Sequence, residues 1–198
     1  MDRINQVIKL QDGRILGYDE YGDPKGKPLF YFHGWPSART SGARFDVAGK
    51  KLHARIIAID RPGFGLSDYK KDRTLIEWPD DVEELAEYLK IQKFSVLGVS
   101  GGGPYAAVCA YKIPRRITNA GIVVGLAPVY IPGLLDGAPW MIKFCWGNYA
   151  RFPLLGEIAT WIQYLNAHYG LALGLHRFFF GAKSDKELYF DPKVRRTT

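Results

Sequence analysis

Ser100 stands between glycines in 98-GVSGG-102, after the apolar run 94-FSVLGV-99 and before the small-residue stretch 103-GPYAAVCA-110. A serine hydroxyl is a weak nucleophile until a turn exposes it and a base removes its proton. A sharp strand-to-helix turn does the first, and it leaves no room for side chains on either flank. Gly98 and Gly102 supply that room, which is the nucleophile-elbow pattern. The N–H groups that follow, starting with that of Gly101, face outward at the positive end of a helix and can hold an oxyanion. Pro104 fits the first helical turn, where N–H groups lack intrahelical acceptors anyway.

Other chemistries that use glycine-rich corners leave different traces. A phosphate loop needs Lys followed by Ser or Thr, and no lysine follows until Lys112; a dinucleotide fingerprint needs an acid about 20 positions on, and none occurs between Ser100 and Asp136. A serine that merely caps a glycine-rich turn stays open on this motif alone. Metal spacing is absent from the two cysteines, Cys109 and Cys145, so no metal and no cofactor are expected. Cys109 sits among alanines in a helical stretch, which favours a buried free thiol in a reducing, cytoplasmic setting.

Elements of defined kind must position that corner. Alternation over Ile4 to Leu10 and Arg14 to Tyr21, joined at Asp12-Gly13, predicts a hairpin. The runs 28-PLFYFHG-34, 55-RIIAID-60, 94-FSVLGV-99 and 120-AGIVVG-125 are nearly all apolar, as in strands buried on both faces. Between them, 79-PDDVEELAEYLK-90 predicts a helix: Pro79 suits its first turn, acids crowd its start, and Val82, Leu85, Ala86 and Leu89 share one face. Buried strands alternating with helices predict an α/β fold with a mainly parallel sheet and flanking helices. A core segment over 1–130 then gives way to 131–198, where aromatics from Trp140 to Phe180 recur in weakly amphipathic stretches broken by Gly and Pro.

The chain has 198 residues, 47% of them hydrophobic, enough for one sizeable core. Its formal charge of +7 comes from scattered Lys and Arg, which reads as a solvated surface and predicts no nucleic-acid partner. The start, MDRINQVIKLQDG, has no apolar secretion-signal core. The uncharged stretch between Arg116 and Asp136 holds Pro128, Pro132 and three glycines, so a strand and loop account for it better than a membrane span.

Two further motifs, 33-HGWPSAR-39 and 60-DRPGFGLSD-68, precede GVSGGGPYA in an order that closely resembles the α/β-hydrolase superfamily. The similarity runs from 16-LGYDEYGDPKGKP-28 through 74-TLIEWPDDVEELAEYL-89 to 183-KSDKELYFDPKVRR-196, nearly the whole chain. Within it the chain is similar to serine hydrolases of the esterase and proline-iminopeptidase kind; a serine rather than an aspartate at position 100 argues against a haloalkane dehalogenase. The resemblance implies an α/β-hydrolase sheet carrying a helical lid over 131–198. It makes Ser100 the nucleophile and the N–H groups of Trp35 and Gly101 the oxyanion hole. His33 and Gly34 would shape the loop carrying Trp35, and Asp60 and its neighbours would brace the site. The expected substrate is a small ester or amide with an apolar part.

Such hydrolases place an acid and a histidine after Ser in chain order. The resemblance implies that both follow the seventh and eighth strands, and about six strands with a lid are visible here. Of the four histidines, His33 is read as structural, His53 as a surface residue, and His168 and His176 as packing within the lid. The expectation is therefore a chain lacking the last strands, with impaired hydrolysis, whose sheet edge at 120–125 invites a second copy or a complementing chain. The alternative is a non-catalytic relative binding a small apolar ligand or a protein.

Overall fold

The computed structural model describes residues 3–128 and 131–138, with isolated positions 140, 143, 154, 158 and 161. Six strands, β1 (Gln6–Lys9), β2 (Ile15–Gly22), β3 (Lys27–Phe32), β4 (Ala54–Ile59), β5 (Phe94–Val99) and β6 (Ile117–Val123), form one sheet in the order β1-β2-β4-β3-β5-β6. β1 and β2 make the expected antiparallel hairpin, and β2 runs antiparallel to β4; the β4–β3, β3–β5 and β5–β6 pairs are parallel.

Register, more than strand count, positions the site. Phe32 pairs with Ile59 on one side and Gly98 on the other, so β3, β4 and β5 end side by side. The segments starting at His33, Asp60 and Ser100 therefore leave the sheet at one carboxyl edge, the usual place for ligands in parallel sheets.

Alternation inside the apolar runs serves two faces. Phe30 and Phe32 join Leu16, Ile57, Ile59, Phe94 and Val96 in the larger core, while Tyr31, Ile56 and Ala58 pack with Tyr21 on the opposite face. Helices α2 (Trp78–Tyr88) and α3 (Gly103–Lys112) contribute Trp78, Val82, Leu85, Ala86, Ala106 and Cys109 to the larger core. On the other side lie a 3-10 segment, Arg39–Phe45, and α1 (Asp46–Lys51), with Phe45 edge-on to Tyr31 at 5.1 Å between ring centres.

A 3-10 turn, Leu75–Glu77, leads into α2 and carries a capping box of Thr74 and Glu77, while Pro79, Asp80 and Asp81 stand in the first turn of α2 itself. Each fully buried aliphatic side chain on its inner face, such as Leu85, stabilises the fold by about 2 kcal/mol. The chain leaves the helix at Lys90, which takes a left-handed φ of 58°.

The last of these strands departs from expectation. It spans Ile117–Val123 rather than 120–125, and most of its residues are exposed rather than buried on both faces. It pairs with the whole length of β5, with an irregularity between Phe94 and Val96, and among the described residues nothing pairs with its outer side. Apolar sequence alone could not register that exposure. The chain divides into two units, Met1–Ala127 and Pro128–Thr198. The aromatic segment read as a lid lies almost wholly outside the described residues, as do His168, His176 and Cys145. Among the described residues, no helix is long and apolar enough to cross a membrane.

Candidate functional site at the carboxyl edge of the sheet

β5 is extended to Val99, and Ser100 then turns with φ of +52°, a left-handed conformation costly for a residue with a β-carbon. The neighbouring backbone enforces that turn. A β-carbon on Gly98 would lie 2.6 Å from the Gly102 carbonyl carbon and 2.9 Å from Gly103 Cα. One on Gly102 would lie 2.7 Å from the Phe32 carbonyl carbon and 2.9 Å from the His33 oxygen. Strand β5, the turn and the end of β3 are thus in backbone contact, and only glycine fits at 98 and 102. A one-turn 3-10 segment, Ser100–Gly102, leads into α3 with Pro104 in its first turn, and the Ser100 carbonyl accepts a hydrogen bond from Leu126 N–H at 3.1 Å. Ser100 itself is half-buried.

The loop after β3 lies against this turn. A β-carbon on Gly34 would come within 3.1 Å of Ser100 Cβ and 3.3 Å of the Val99 oxygen. Trp35 N lies 3.6 Å from the β-carbon position of Gly101, so the amide-bearing segments 35 and 101 face each other, while the Trp35 indole is exposed. Arg61 joins the two: its Nη2 donates to the Gly34 oxygen at 2.8 Å and its Nη1 to the Gly101 oxygen at 3.3 Å. The guanidinium carbon lies 4.6 Å from the Phe64 ring centre and 5.0 Å from that of Tyr105. Burial pushes the arginine pKa down.

His33 is fully buried and both ring nitrogens are committed: Nδ1 bonds the Gly34 oxygen at 2.8 Å, and Nε2 accepts from Arg61 N–H at 3.3 Å. These partners fix the tautomer with the proton on Nδ1. Burial, then the charge of Arg61, lower its pKa to about 4, so it is neutral at pH 7. His53 is exposed before β4, at the other end of the strand from Ser100, where Nδ1 pairs with Asp23 at 2.9 Å. Neither described histidine can take a proton from Ser100.

Asp60 is fully buried and accepts three hydrogen bonds, from Arg39 N at 2.7 Å, Arg39 Nη1 at 2.8 Å and Leu66 N at 2.8 Å. Arg39 also donates through Nε to Asp19 at 3.0 Å and through Nη2 to the Asn5 side chain. Asp19 in turn accepts from Asn5 N–H at 2.6 Å and the Tyr21 hydroxyl at 2.9 Å. Desolvation would depress the Arg39 pKa, but its two carboxylate partners outweigh that and raise it. The network ties hairpin, post-β3 loop and post-β4 loop together behind the serine turn.

The structure thus brings Ser100, Gly101, Gly34, Trp35, His33 and Arg61 to one place and puts Asp60 one layer behind. Arg39 and Asp19 escaped the motif reading although both lie inside quoted motifs; their pairing spans 20 residues, and only an unmatched arginine at the end of HGWPSAR hinted at it. Among the described residues no three His, Cys, Asp or Glu side chains gather as a metal would require. Cys109 is a buried free thiol whose pKa burial drives up, away from reactivity.

Comparison with known proteins adds the family. A proline iminopeptidase of Arabidopsis thaliana is 28% identical over 115 residues, 57% of this chain and 30% of that protein. The bifunctional esterase/perhydrolase DCH of Acinetobacter calcoaceticus is 26% identical over 122 residues, 61% of this chain and 44% of its own length. Among solved structures, a hypothetical protein of Pseudomonas aeruginosa PAO1 matches with a TM-score of 0.57 and 30% identity, over 76% of this chain and 51% of that one. The chain therefore spans about half the length, or less, of these relatives. A family model described as the alpha/beta hydrolase fold matches residues 27–186, and by that match, on the sheet and serine turn described above, the chain belongs to the α/β-hydrolase family.

Proposed function

We propose that the chain is a serine hydrolase of ester or amide bonds in which Ser100 is the nucleophile and the amides of Trp35 and Gly101 form the oxyanion hole. The carrying observation is the +52° φ of Ser100, held between two glycines no larger residue could replace, with the Trp35 amide beside Gly101. Ser100 Oγ attacks the substrate carbonyl and loses its proton to a base. The carbonyl oxygen takes up the electron pair between the two amides. The alcohol or amine leaves with a proton, and water then releases the acyl group by the same steps in reverse. Names borne by two relatives, an iminopeptidase and an esterase, support amide or ester substrates, and the aromatic segment supports an apolar part. A reducing, cytoplasmic setting accords with the buried free Cys109.

The base lies outside the described histidines. Without one, a serine keeps only binding and amide donors, and little rate survives. Fluorophosphonate labelling tests the assignment: rapid labelling that vanishes in Ser100→Ala supports it, and loss in His168→Ala or His176→Ala would name the base. A second reading, a non-catalytic relative that binds an apolar ligand or a protein, is favoured by the commitment of His33 and His53 elsewhere. An unlabelled intact chain would select it.

A further inference from the structure

We propose that Arg61 is a positioning residue that both aims and charges the anion pocket formed by the Trp35 and Gly101 amides; this rests on the hydrolase assignment for its chemistry, though not for its geometry. The Gly34 oxygen belongs to the peptide unit whose N–H is that of Trp35. In a trans peptide the C=O and N–H point opposite ways. Arg61 Nη2 and His33 Nδ1 both donate to that oxygen at 2.8 Å, so two donors hold the carbonyl on one side and thereby aim the Trp35 amide to the other. Through Nη1 the same guanidinium reaches the Gly101 oxygen, tying the loop to the serine turn.

The charge itself is the second half. Arg61 is buried, its Nε has no hydrogen-bond partner among the described residues, and besides the two carbonyls the rings of Phe64 and Tyr105 lie against the cation. The nearest acid in sequence, Asp60, is spent on Arg39. Among the described residues no carboxylate pairs with Arg61; burying a cation in that way is costly, and a loop brace could be built from a neutral donor such as asparagine. A guanidinium with no acid beside it among the described residues instead gives the neighbouring pocket a fixed positive potential. Nη1 lies 3.6 Å from the β-carbon position of Gly101, the same distance as Trp35 N, so cation and amide both stand close to Gly101. Charge that develops on a carbonyl oxygen there meets a field arranged before the reaction begins.

Acetate titrated into the full chain, followed at the Trp35 and Gly101 amide resonances, reads the pocket without a covalent step. Fluorophosphonate labelling reads it with one. Acetate should move both resonances saturably in the wild type and in Ser100→Ala, with affinity at least about tenfold weaker in Arg61→Met. Labelling of Arg61→Met should lose about 100-fold in the first-order covalent step while the reversible encounter constant stays within about threefold. Arg61→Lys keeps the charge but loses the planar fork. It is the milder change, holds the fold should methionine fail to, and should fall between threefold and tenfold below wild type, roughly. Acetate affinity equal to wild type in either variant overturns the proposal, as does a labelling loss confined to the encounter constant. A wild type that binds no acetate at these amides overturns it too. A wild type that binds acetate but resists labelling removes the hydrolase assignment and supports the arginine's role.

Discussion

Replacing Gly102 by alanine, beside Gly101 by alanine, separates the geometry of the serine turn from the chemistry of its pocket. The new methyl at 102 would sit 2.7 Å from the Phe32 carbonyl carbon and 2.9 Å from the His33 oxygen, both backbone atoms with no rotamer to yield. Carbon atoms rest about 3.7 Å apart, so the turn and the end of β3 must separate by about 1 Å. Forcing a group into packed surroundings costs about 1–3 kcal/mol, the upper end applying to backbone, and alanine returns about 1 kcal/mol of chain entropy relative to glycine. The net loss should be about 2 kcal/mol. At position 101 the atoms nearest the same methyl are Arg61 Nη1, Trp35 N and Trp35 Cβ, at 3.6, 3.6 and 3.7 Å, which is ordinary contact. Gly101→Ala should therefore match or exceed wild-type stability by up to about 0.5 kcal/mol, while its methyl fills the space before the Trp35 amide and slows labelling. Gly102→Ala should lose labelling about 100-fold, because an error of about 1 Å in a reacting group costs that much. Urea unfolding and fluorophosphonate rates on both variants provide the measurements. A Gly102→Ala chain within about 0.5 kcal/mol of wild type, or a Gly101→Ala chain destabilised as much as its neighbour, would refute the backbone-contact account.

Ser100→Gly should be more stable than Ser100→Ala by about 1 kcal/mol in thermal melts, since glycine relaxes the +52° φ and alanine keeps the strain; equal melting points would remove that strain from the account. Arg39→Met should cost about 3–5 kcal/mol in chemical unfolding, because Asp19 and Asp60 would stay buried without their shared cation; a loss under about 1 kcal/mol would show water replacing it. His33 binds its proton at about 4 in the folded chain against an ordinary 6.5, so the unfolded state takes up more protons between these values. Its stabilising contribution, about 3 kcal/mol, is complete above pH 6.5 and disappears as pH falls toward 4; urea midpoints of wild type and His33→Asn at pH 7 and 4.5 should differ in slope, and parallel slopes would contradict a buried neutral imidazole.

The serine turn was legible because its demands are local: Gly98, Ser100 and Gly102 meet backbone within a few residues or at the strand end that every parallel neighbour shares. Strands β3 to β5 were legible because burial on both faces leaves no polar alternation to confuse. The buried assembly of Arg39, Asp19 and Asp60 was not, since its partners lie 20 and 21 positions apart and neither spacing belongs to a helix or a hairpin. Arg61 was placed in a bracing loop, but nothing in DRPG says that its guanidinium reaches carbonyls 27 and 40 residues away. The outermost strand shows the opposite failure. Its apolar letters describe what the segment could bury, whereas burial depends on neighbours that a single segment does not encode.

Asn5 carries a practical consequence. It is held in left-handed backbone, its N–H grips Asp19, and its side chain meets the arginine that anchors the loop leading out of β3. Clipping the chain at or before Asn5, or placing a bulky group beside it, would thus slacken a loop that begins almost thirty residues downstream. Preparations that differ only in their leading peptide should differ in reactivity.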